Sequence, residues 1–162
     1  MNDVKAPYQV NKVTICAITT ASLLHQGCPS TIPQSVKHFI SCRMALGLSP
    51  LHSRTFNILY SDPSTTPPAK YQLGLCASIN KEQDLSESGL TLLTIPAGEY
   101  ACLRLIGADS QLPAAISYLY GTWLTKNKHI AGDFPPFLER VKFFPDVPEE
   151  DRITDIYLPL VS

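Results

Sequence analysis

Cysteine and histidine are the side chains most able to do chemistry near neutral pH, as thiolate nucleophiles, general bases or metal ligands. The chain has five cysteines and four histidines in 162 residues. Cys16, Cys28, Cys42, Cys76 and Cys102 are odd in number and widely spaced, with no C-x-x-C pair. Such a set reads as reduced, mostly buried thiols rather than as a disulfide framework. His25, His38, His52 and His129 do not cluster with the cysteines, so no zinc site and no cofactor is expected. These histidines sit in polar or turn-rich contexts, with nothing to mark one as a catalytic base. The G-x-S-x-G elbow, the phosphate loop, G-x-G-x-x-G and H-E-x-x-H are all missing.

Composition narrows the classes further. Hydrophobic residues make up 44% of the chain and charged residues 17%, which suits a globular fold and not a disordered one. Net charge is -1 and the Lys and Arg residues are scattered, whereas direct nucleic-acid binding needs a basic stripe. No apolar run approaches the roughly 18 residues of a membrane span. The start, "MNDVKAPYQVNKV", lacks the apolar core of a signal peptide, so a cytoplasmic protein is expected.

Any chemistry must be positioned by the elements, and their signals run in a repeating order. Tyr8 to Thr20 is β-branched and alternating, the pattern of a strand. Ile32, Val36, Phe39, Ile40 and Met44 fall at helical spacing, and Gly47 supplies a stop. "RTFNILY" and "YQLGLCASI" read as strands on either side of the Pro-rich loop "SDPSTTPPAK". Then "LTLLTIPAGEYACLRLIG" reads as a strand pair or a bulged strand, irregular at Pro96 and Gly98. Leu112, Ala115, Ile116, Leu119, Tyr120 and Trp123 form a helical stripe, with Asp109 or Ser110 as its cap. "LERVKFF" and "ITDIYLPL" are strand candidates around the loop "PDVPEEDR".

The expected fold is therefore α+β, built from a duplicated β-α-β-β unit. Repeat one covers about 8–80 and repeat two about 88–160, within one domain spanning 1–162. Two such halves joined edge to edge give one antiparallel sheet with two helices on one face, and a central ligand groove between the helices.

"IPAGEYACLRLIG", "YLYGTWL", "FLERV" and "TDIYLPL", with "FNILYSDPSTTPP" in the first half, together resemble the GyrI-like small-molecule-binding domain. That domain also serves as the effector-binding domain of AraC- and MerR-type regulators. The resemblance covers nearly the whole chain. It implies two fused strand-helix-strand-strand repeats and a groove for lipophilic, often cationic, compounds. The chain alone is expected to carry no DNA-binding domain and to be a monomer or weak dimer. DNA gyrase is the alternative partner implied by the family, and a glutamate-dependent hydrolysis of strained electrophilic toxins is a second alternative. The leading expectation is a binding protein and not an enzyme.

The family carries a glutamate on the strand after the second helix, and Glu139 in "LERV" stands at that point. A carboxylate facing an apolar groove is costly to keep charged, and a ligand cation would offset the cost. Aromatic faces would add roughly 0.5–2 kcal/mol each. The expected site thus needs one acid, several aromatics and no competing lysine. Alternation puts Val141 and Phe143 on the face of Glu139. Superposing the two hairpins makes Asn57 the mate of Glu139 and Leu59 the mate of Val141. Tyr100, Trp123, Phe137 and Tyr157 are the further aromatics expected at the groove. The bland alternative is a solvated Glu139 paired with Arg140 or Lys142, and Trp123 in plain core packing.

Overall fold

The computed structural model describes residues 8–80, 82–143 and 146–161. Its strands are β1 (Val10–Ile15), β2 (Ile18–Gln26), β3 (Thr55–Ile58), β4 (Gln72–Ser78), β5 (Thr91–Ile95), β6 (Gly98–Ile106), β7 (Phe137–Lys142) and β8 (Ile153–Pro159). They form one sheet in the order β1-β6-β8-β7-β3-β4-β2-β5. All its pairings are antiparallel. Helix α1 (Ile32–Ala45) follows β2, and α2 (Leu112–Tyr118) follows β6. The expected α+β duplication is what the structure has. Phe144, at the end of the expected strand "LERVKFF", lies outside the described residues.

Two local features differ from the sequence reading. The first strand of repeat one is broken in two, as the strand pair read at Pro96 and Gly98 already is in repeat two. Tyr8 to Thr20 divides at Cys16–Ala17 into β1 and β2, as the second copy divides at Pro96–Ala97 into β5 and β6. The halves then exchange strands: β1 pairs with β6 of repeat two, and β5 pairs with β2 of repeat one. Ile15 and Ile18 are three residues apart, so at most about 11 Å, yet they belong to the first and the last but one strand of the order. The sheet therefore curls until its two ends nearly meet.

The second difference lies in the second helix. After α2 the chain continues without a break through a π-helical turn, Leu119–Trp123, into α3 (Leu124–Lys126). A π turn inserts an extra residue and rotates everything after it. The apolar stripe consequently passes from Leu119 to Leu124, which is buried, and leaves Tyr120 exposed.

Alternation along the strands sorts the core into two faces. Leu73, Leu75 and Ala77 pack under α1 with Phe39 and Ala21. Leu103, Leu138, Ile156 and Leu158 pack under the second helix with Ala115, Leu119 and Leu124. Both helices thus cover one face, the convex one. The concave face carries Phe56, Ile58, Cys76, Ile95, Tyr100, Phe137 and Tyr157, without a helical residue among them. Each fully buried large apolar side chain stabilises by about 1.5–3 kcal/mol.

One buried charge fastens the first helix to the sheet. Arg43 donates from Nε to the Leu48 carbonyl at 2.8 Å and from Nη1 to Thr55 Oγ1 at 2.8 Å. Burial lowers its pKa to about 10. Gly47 ends the helical run at φ +73°, where a Cβ would be strained.

Candidate functional site

The groove was expected between the helices, but Glu139 lies on the concave face, away from both of them, because alternation turns it to the side of Phe56 and Tyr157. β7 places Phe137 and Glu139 on that face, and β8 sets Tyr157 and Asp155 directly opposite them. On the other side β3 sets Ile58 and Phe56 against the same two residues. Around the carboxylate the rings interlock. Phe137 stacks on Tyr157 with centroids 4.9 Å apart, and meets Tyr100 and Phe56 edge-on at 5.4 and 5.8 Å. Tyr100 anchors its hydroxyl on the Pro96 carbonyl at 2.7 Å, which ties this cluster to the strand crossing. Such edge and offset contacts add about 0.5–1.5 kcal/mol per pair beyond their buried area.

The carboxylate is not left for a ligand alone. Arg54, just before β3, donates from Nε to Oε2 and from Nη2 to Oε1, both at 2.8 Å. Its guanidinium also lies 5.0 Å over the Phe56 ring. Tyr157 Oη makes a long contact of 3.5 Å to Oε1. The Glu139 side chain is 13% exposed and that of Arg54 is 49% exposed. With one partner so open to water, the pair is worth about 1 kcal/mol or less. The expected site had no competing lysine; the competitor that the structure places there is an arginine, which the sequence reading did not weigh. "SRTF" held the signal, because Arg54, Phe56 and Ile58 alternate onto one face.

A second fork lies beside the first. Arg104 donates from Nε and Nη2 to Asp155 at 2.8 and 3.0 Å. Cys102, opposite Tyr157, completes this patch. Burial first, and then the Asp155 charge, push its thiol up to about 11. Burial also holds the Tyr157 phenol far above the ordinary tyrosine range, with Cys102 and Glu139 adding to the effect.

The eight residues read from the sequence divide between the two faces. Glu139, Phe137, Tyr157 and Tyr100 come together on the concave side. Asn57 and Leu59 do not. Across β3 and β7 Asn57 pairs with Leu138, so the local twofold makes Ile58 the mate of Glu139. A register wrong by one residue turns the side chain to the other face. Asn57 there accepts from Arg140 Nε at 2.8 Å, while Arg140 forks onto Asp109 at 2.7 and 3.1 Å. Asp109 is thereby bound to β7 rather than capping the helix. Leu59 packs against both helix-side clusters and bridges the two halves. Trp123 belongs to the helix side and stacks on His129 at 5.2 Å. Val141 is 39% exposed, because a bulge between Arg140 and Lys142 breaks the alternation that would have kept it beside Glu139.

The thiols also depart from expectation. All five are free, but Cys16 and Cys28 are exposed and Cys76 alone is buried. His25 is buried on β2, its Nδ1 2.7 Å from Ser35 Oγ, and is no turn residue.

Duplicated halves with exchanged strands, and an aromatic concave face around a carboxylate, are the features by which the chain can be compared with known proteins. The family model described as the GyrI-like small molecule binding domain matches residues 3–161, and the chain belongs to that family. A relative in Escherichia coli K12, described as probable transcriptional regulator YgiV, is 28% identical over 152 residues, covering 93% of this chain and 95% of the relative. Among solved structures, the C-terminal domain of EcmrR aligns with a TM-score of 0.77 at 15% identity, covering 97% of this chain and 99% of that domain. Against the DNA-bound EcmrR chain the alignment spans only 57% of the partner's length. A hydrolase from Listeria innocua aligns with a TM-score of 0.69 at 10% identity, over 97% of this chain and 94% of that one. SAV2435 bound to tetraphenylphosphonium aligns with a TM-score of 0.55 at 11% identity, over 97% and 95%. No helix among the described residues is long and apolar enough to cross a membrane.

Proposed function

We propose that this domain binds amphipathic cationic small molecules on the concave face, for sensing or sequestration, with Glu139 as the counter-ion. The observation that carries the reading is a carboxylate walled by Phe56, Phe137, Tyr100 and Tyr157. Those are the two elements a lipophilic cation requires, a fixed negative charge and π faces. The fold shared with a protein that holds tetraphenylphosphonium supports it.

A thermal-shift series with lipophilic cations and matched neutral analogues tests the proposal on wild type and Glu139→Gln. A cation at 100 times its Kd stabilises the fold by about 2.7 kcal/mol. Cations should raise the melting temperature of wild type and not of the variant. Equal shifts from neutral analogues, or in Glu139→Gln, would dispose of it.

A further inference from the structure

Arg54 already supplies everything the proposed ligand cation would supply. Its guanidinium meets both oxygens of Glu139 at 2.8 Å and covers the Phe56 ring at 5.0 Å. We propose that Arg54 is a tethered stand-in for the ligand, and that the site selects planar, delocalised cations of the amidine or guanidine class. This deepens the cation-binding reading and rests on it.

The geometry says which group gives way. Glu139 is set in the strand floor with its side chain 13% exposed, whereas the Arg54 side chain is 49% exposed. The backbone of Arg54 is pinned: its N–H donates to Ser78 Oγ at 2.8 Å, and its carbonyl accepts from Ser78 N at 2.9 Å. Only the side chain is free to swing. Beside it a cleft of about 320 Å³, lined by Ile15 to Thr19, Ser78 and Asn80, gives it somewhere to go.

The same geometry says what can replace it. Two N–H groups in one plane reproduce the fork, and a flat cation keeps the contact with Phe56. A quaternary ammonium has no N–H to offer, so it would leave the carboxylate without its hydrogen bonds. While Arg54 is seated, the apparent affinity for any cation falls in proportion to the fraction of open molecules.

Calorimetric titration of the full chain with benzamidine, planar, and with benzyltrimethylammonium, tetrahedral, tests this. The proteins are wild type, Arg54→Ala, Arg54→Lys and the double variant Arg54→Ala/Glu139→Gln. Benzamidine should bind Arg54→Ala at least tenfold tighter than wild type, which corresponds to a wild-type site closed about 90% of the time. The gain should vanish in the double variant. Arg54→Lys, which keeps the charge without the fork, should fall in between and stands in if Arg54→Ala does not fold. Benzyltrimethylammonium should bind more weakly than benzamidine throughout. Equal benzamidine affinity in wild type and Arg54→Ala, or tighter binding of the tetrahedral cation, overturns the inference. If those cations still depend on Glu139, the function proposed above survives. No binding of either cation to any variant removes both.

Discussion

Phe137→Ala asks whether the concave face is a packed core or an open groove in solution. Phe137 is fully buried and touches four other rings, with centroids from 4.9 to 6.3 Å away. Deleting a phenyl group so enclosed costs about 3–5 kcal/mol in transfer and cavity energy. In a domain of this size each kcal/mol is worth about 2–4 °C, so the melting temperature should drop by roughly 6–20 °C. The vacated space is lined by Phe56, Tyr100, Tyr157 and Phe134, and it should accept a neutral benzene-sized molecule. Toluene should then recover part of the loss in Phe137→Ala and leave wild type unmoved. Denaturant unfolding and a thermal scan with and without toluene give both numbers. A loss below about 1 kcal/mol would refute the packing argument, because a ring that costs so little to remove is not buried. The site would then stand open without its ligand.

Arg43→Met should cost about 2–4 kcal/mol in urea unfolding, because it leaves the Leu48 carbonyl and Thr55 Oγ1 without their buried donor; a change within 0.5 kcal/mol would contradict that role. Thiol titration at mild pH should modify Cys28 first, since it is exposed and the Ser30 hydrogen bond lowers its pKa, and Cys76 only after unfolding. Modification of Cys76 as fast as Cys28 would show that the sheet opens readily. Cys102 links stability to alkaline pH: its thiol holds its proton to about 11 in the fold against 9.0 when free. The unfolded chain loses that proton first, so stability is intact below about pH 9 and declines through about pH 11. Cys102→Ala should flatten that part of the profile, and an unchanged slope would exclude the thiol as its source.

The order of elements was legible because turn residues punctuate it. "GCPS", "SDPSTTPP" and "PDVP" interrupt apolar runs that carry clear strand or helix periods. The break within the first strand was not, since Cys16 and Ala17 carry no turn chemistry. Its copy was partly legible through Pro96 and Gly98. Glu139 could be singled out by its place in the family pattern, and Tyr157 by alternation against Ile156 and Leu158. Asn57 went to the wrong face because pairing register is a property of two strands, and no single strand displays it. Tyr120 followed an α-helical stripe that the π turn displaces, whereas Trp123 stays packed on the helix side. Alternation in "SRTF" puts Arg54 on the face of Phe56, but its pairing with Glu139, 85 positions away, is a property of two strands that neither one displays.

The exchange of first strands has a consequence for how the chain is made. β1 has its sheet partner in β6, so Ile15 cannot pair until Gly98 has been synthesised. Until then β1 emerges with an unpaired edge carrying Val10, Val13 and Ile15. Neither half closes as a unit, and folding must wait for contacts that span more than 80 residues. Duplication here produced not two modules side by side but one interlocked object. Its vulnerable period is the interval on the ribosome between the first strand and its distant mate.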